Sequence, residues 1–162
     1  GISAVKGLTF ETEKPVYGIS TLEALACGAM LEGYLICPVM DARCGQVYTA
    51  AFHYENSKLT RMREDCAIKL DAFIRFAEER NEKVLLLGDG AAITAKYLSE
   101  NASVKYAVFP EIFKLQHAAG VAFAAWMRYN NGESGLDGAM LLPSYLRLPQ
   151  AERERQKGEK KL

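Results

Sequence analysis

Four consecutive apolar residues, Val84-Leu85-Leu86-Leu87, stop at Gly88-Asp89-Gly90 and give way to a helical pattern over residues 91–99. A strand with no polar alternation must be covered on both faces, which points to a sheet between layers of helix. The flanking sequence fits around that strand. Upstream, the apolar runs 35–40 and 46–52 are joined by Asp41-Ala42-Arg43-Cys44-Gly45, a hairpin whose tight turn is assigned to Gly45. Residues 58–63 add a third antiparallel strand, and Ile68, Leu70, Phe73, Ile74 and Ala77 mark an amphipathic helix over 65–80. Downstream come a strand at 104–109 and a long helix from Pro110 to about residue 129, with Ile112, Leu115, Ala119, Phe123 and Trp126 as its inner face. A meander followed by strand-helix units gives an α/β protein whose mixed sheet is flanked by helices.

The ends are less regular. Ile2, Val5 and Leu8 predict a helix from 2 to about 12, and residues 15–19 a short strand. Ser20 and Glu23 form a capping box that starts a helix from 21 to about 30. Residues 130–138 read as a loop, 141–146 as a last extended segment, and the rest as a charged tail.

Charge and cysteine content narrow the chemistry. Lys plus Arg and Asp plus Glu are 20 each, so there is no global positive field of the kind that drives sequence-independent binding to nucleic acid. In the tail Arg153, Arg155, Lys157, Lys160 and Lys161 alternate with Glu152, Glu154 and Glu159, a solvated pattern. Cys27, Cys37, Cys44 and Cys66 form no C-x-x-C pair and His53 and His117 are far apart in sequence, which is not a zinc pattern; reduced thiols in a cytoplasm are expected. No apolar run reaches the roughly 20 residues that span a bilayer, so the expected protein is soluble, with no membrane partner.

Candidate catalytic residues are sparse. Asp41 could serve as a metal ligand or base, but no second carboxylate accompanies it, and a turn-forming Asp paired with Arg43 is the simpler reading. Gly88-Asp89-Gly90 could cradle a phosphate, yet a strand-to-helix turn with Asp89 as the cap accounts for it. An actin-like ATPase or small-molecule kinase built on Asp41 and this turn is the enzyme alternative; it requires further phosphate and metal contacts. No nucleophile with a base, as a peptidase requires, is found.

The more specific signal is collective. Gly1-Ile-Ser-Ala-Val-Lys-Gly-Leu8, Pro15-Val-Tyr-Gly-Ile-Ser-Thr-Leu-Glu-Ala-Leu25, Pro38-Val-Met-Asp-Ala-Arg43 with Gly45-Gln-Val-Tyr48, Gly88-Asp-Gly-Ala91 and Pro143-Ser-Tyr-Leu-Arg147 together resemble the TsaB (YeaZ) family. That resemblance implies the ribonuclease H-like fold of the actin-like ATPase (ASKHA) superfamily. Residues 1–31 would be the remnant of a first lobe, 32–140 the second lobe, and 141–162 a C-terminal segment and charged tail. Relatives normally begin with a strand ending in Asp-Thr-Ser and carry Gly-Pro-Gly-Ser-Phe-Thr-Gly-Leu-Arg ahead of the point matched by Gly1. The resemblance therefore implies a chain lacking most of that first lobe.

It further implies a non-catalytic subunit without cofactor, which binds TsaD and, with TsaE, supports formation of threonylcarbamoyl-adenosine beside the tRNA anticodon. tRNA would be reached only through the complex, and a homodimer could use the same face. His53 and His117 do not reproduce the neighbouring histidines of the TsaD metal site. The expected partner surface is a pair of small-residue grooves, Ser3 with Gly7 and Ala24 with Gly28, flanked by Ile2, Val5, Leu22, Leu25 and Ala29.

Overall fold

The structure, a computed structural model, describes residues 1–110 and 115–147. Five strands form one sheet in the order β3-β2-β1-β4-β5: β1 (Leu35–Asp41), β2 (Gln46–Glu55), β3 (Lys58–Lys69), β4 (Val84–Leu87) and β5 (Tyr106–Val108). The first three are antiparallel, whereas β4 and β5 run parallel to β1. As the unbroken apolar run requires, β4 is buried at every residue between β1 and β5.

Alternation along the central strands divides the core in two. Leu35, Cys37 and Val39 of β1 and Val84 and Leu86 of β4 join Leu70, Phe73 and Ala77 of α3 (Leu70–Arg80) and Ala91 and Leu98 of α4 (Ala91–Asn101). On the other face Ile36, Leu85, Leu87 and Phe52 meet Leu22, Leu25, Ala26 and Ala29, from and just after α2 (Thr21–Ala26). Each large apolar side chain fully buried here contributes about 1.5–3 kcal/mol. The helix assigned by sequence to 1–31 thus builds the same core as 32–140.

Several boundaries differ from the sequence reading. The helix expected over 65–80 begins at Leu70, because Cys66 and Ile68 pair with Thr49 and Val47 and prolong β3. α1 (Ile2–Leu8) and α2 stop short of 12 and 30. Residues 15–19 make only one bridge, Val16 to Leu136, and 141–146 form no strand; a short 3-10 helix at Gly138–Met140 precedes them.

The last long helix, α5 (Ala118–Asn130), starts eight residues after Pro110, with His117 as its N-cap; Ile112 lies outside the described residues. Its inner face is turned from the one expected, with Leu115, Ala119 and Phe123 only lining the edge of a groove against α2. Ala124 is buried, while Phe123, Trp126 and Leu115 are exposed. A Cβ on Gly120 would lie 2.4 Å from the Ala24 carbonyl oxygen, so α5 approaches α2 backbone to backbone. Only a small residue fits that contact.

Candidate functional site

Ser20 caps α2, its Oγ accepting from the backbone N–H groups of Leu22 and Glu23. Glu23 does not complete the capping box. Its carboxylate, 12% exposed, accepts from Arg61 Nη2 at 3.0 Å, Arg128 Nη2 at 2.6 Å and Arg128 Nε at 3.2 Å. Arg61 also donates to Asp65, which accepts from the Ser20 hydroxyl, and its guanidinium lies 4.6 Å above the Phe52 ring. The hydrogen bonds to Glu23 raise the Arg128 pKa above its ordinary value. The cluster ties α2, β3 and α5 together. No local pattern pointed to Arg61 or Arg128.

The hairpin tip and the glycine turn are interlocked. Asp41 Oδ1 accepts from the Arg43 backbone N–H at 2.7 Å, and Asp89 Oδ1 accepts from the Asp41 N–H at 3.2 Å. Asp41 is therefore a turn-former, as expected, although it binds the Arg43 backbone. The turn needs more than Gly45, since Arg43 and Cys44 also take left-handed φ of 62° and 54°. Asp89 is not the cap of α4: Gly90 is the N-cap, with no side-chain cap bond, because Asp89 reaches across to β1. Replacing Asp41 by Ala should lower stability by about 0.5–2 kcal/mol, measured by urea denaturation, through loss of this turn bond.

The remaining titratable candidates are dispersed. His53 Nε2 lies 2.6 Å from Glu82 Oε2, and His117 is exposed at the start of α5. Among the described residues no group of three or more His, Cys, Asp and Glu side chains could hold a metal ion. All four cysteines are free. Burial raises the Cys27 thiol to about 11 and pushes Cys37 up as well. At pH 8 iodoacetamide should consume exposed Cys44 first, with buried Cys27 and Cys37 reacting far more slowly. The unfolded chain releases the Cys27 proton near pH 9 while the folded chain keeps it to about 11, so this thiol's contribution to stability is complete below pH 9 and lost between 9 and 11.

The expected partner residues separate into two groups. Leu22, Ala24, Leu25 and Ala29 are buried within this chain, packed on the sheet or on α5, so the α2 half of the expected surface is already filled. The small-residue groove at Ala24 does receive a helix, but it is α5. Ile2 and Val5 are half-buried, and Ser3, Gly7 and Gly28 are exposed. α1 buries no residue; it is held at its base by Lys6 Nζ donating to the Ala139 carbonyl at 2.8 Å. Beside it Leu8 and Phe10 are 82% and 73% exposed.

Comparison with known proteins supplies what this geometry alone does not. The family described as TsaD, tRNA N6-adenosine threonylcarbamoyltransferase, matches residues 1–155. The tRNA threonylcarbamoyladenosine biosynthesis protein TsaB of Bacillus subtilis (strain 168) is 28% identical over 152 residues, 94% of this chain and 64% of that protein. In the fold, a Pseudomonas aeruginosa structure described as an uncharacterized protein with similarity to peptidase YEAZ superposes with a TM-score of 0.68 at 21% identity. It covers 90% of this chain and 65% of its own. YeaZ from Pseudomonas aeruginosa gives 0.64 at 18%, covering 90% and 66%. The chain thus spans about two thirds of each relative's length. The mixed five-stranded sheet flanked by helices is the actin-like, ribonuclease H-like fold. With its TsaB-like sequence and YeaZ-like fold, the chain belongs to the TsaD, tRNA N6-adenosine threonylcarbamoyltransferase, family.

Proposed function

We propose that this chain is a TsaB-type accessory subunit in forming threonylcarbamoyladenosine on tRNA, acting by contact with a TsaD-type enzyme and without catalytic side chains of its own. The observation that carries the proposal is its 28% identity with the Bacillus subtilis TsaB in an alignment covering 94% of the chain. The occupied side chains support it: Asp41, Asp89, Glu23 and His53 are each engaged within the fold. TsaE joins the larger assembly, tRNA is met only through it, and the work is done in the cytoplasm. No helix among the described residues is long and apolar enough to cross a membrane.

In this reading α1 belongs to a first lobe, residues 32–140 with α2 packed on their sheet to a second, and 141–162 to a terminal segment. The partner face is on α1: exposed Ser3 and Gly7 with half-buried Ile2 and Val5 beside them, and Gly28 just after α2. Ser3 and Gly7, four apart, let a partner helix approach closely, and such a contact buries on the order of 1,000 Å² or more. The same face permits a homodimer. Threonylcarbamoyladenosine in tRNA from TsaB-depleted cells tests the role. This protein is expected to restore the modification, and its Gly7→Leu variant to restore markedly less. Failure of the parent to restore it would overturn the proposal.

A further inference from the structure

α5 is a long apolar helix with little hydrophobic anchorage. Of its thirteen residues only Ala124 is buried, and Val121, Phe123, Trp126 and Tyr129 are all exposed. Two features mark its seat on α2. At its start Gly120 lies against the Ala24 backbone; two turns later Arg128 makes two hydrogen bonds to Glu23. The chain beyond is tied to the equally exposed N-terminal segment by the Val16–Leu136 bridge and by Tyr17 Oη donating to the Glu133 carbonyl.

Between α2 and the start of α5 is a groove of about 440 Å³, lined by Leu25, Cys27 and Met30 on one side and His117, Ala119 and Phe123 on the other. Cys27 is 7% exposed at this groove, whereas Cys37 is fully buried on the opposite face of the sheet.

We propose that α5 is a strap latched by the Glu23–Arg128 pair, which opens away from α2 as a unit while the five-stranded sheet stays folded. The free energy of such a local opening is set by the few contacts that close it, and here the charged hydrogen bonds dominate them. Arg61 stays on Glu23 when Arg128 leaves, so the carboxylate is not stranded in the core. The latch therefore breaks without abandoning a buried charge.

The two cysteines make the opening measurable. Iodoacetamide labelling of Cys27 and Cys37, followed by peptide mass spectrometry, should show Arg128→Met accelerating Cys27 roughly ten- to a hundredfold, the loss expected for charged hydrogen bonds, with Cys37 unchanged. Removing Arg128 also removes a positive charge that lowers the Cys27 pKa, so electrostatics alone would slow the reaction. An acceleration must therefore come from access. Arg75→Met, an exposed arginine on α3, should change neither rate. Cys27 reactivity in Arg128→Met equal to the parent's would overturn the latch, and Cys27 and Cys37 rising together would overturn the separate opening of α5.

Discussion

Gly88→Ala is expected to destabilise the protein by about 3 kcal/mol or more, through backbone strain added to a clash that only backbone movement can relieve. Gly88 has φ of 101°, and a Cβ there would stand 2.2 Å from the Val39 carbonyl oxygen. That carbonyl also accepts from the Gly90 N–H at 3.1 Å. The turn is pressed on β1, so its glycines serve the joint between β4 and α4. Gly33→Ala provides the contrast. Its φ is 78° but nothing lies within 4 Å of the added Cβ, so only the conformational term remains, about 1 kcal/mol. Chemical denaturation of both variants measures the difference; equal values would mean that β1 and the turn are not in contact.

Leu25→Asp is expected to cost about 4 kcal/mol, because it places an unpaired carboxylate among Leu22, Ile36, Phe52 and Leu87. Leu25 is 3% exposed. The variant would lose partner binding merely by unfolding, and so would not locate an interface. Gly7→Leu is the informative substitution, since a Cβ at Gly7 meets nothing within 4 Å and the melting curve should shift little.

What could be read from the sequence was local. The apolar run of β4, the β1–β2 hairpin and the Ser20 cap each depend on neighbouring residues, and each stands where the pattern placed it. The errors came from distant partners. Residues 65–69 have a helical apolar spacing, but pairing with β2 holds them extended. Leu22 and Leu25 read as a free apolar face because residues 1–31 were assigned to another lobe, whereas they pack on this chain's own sheet. The face of α5 was displaced toward its bulky residues because amphipathicity ranks side chains by hydrophobicity, while a close helix crossing selects by size. Arg128 is 105 residues from Glu23, beyond any periodic signal.

The central claim, that the chain works by docking on a TsaD-type enzyme through α1, is tested most directly by sedimentation velocity of the protein with its TsaD-type partner. The expected result is a heteromeric boundary at micromolar concentrations that Gly7→Leu weakens at least roughly tenfold while circular dichroism is unchanged. A parent that sediments independently of the partner at tens of micromolar, or a folded Gly7→Leu variant that binds as tightly as the parent, would contradict it.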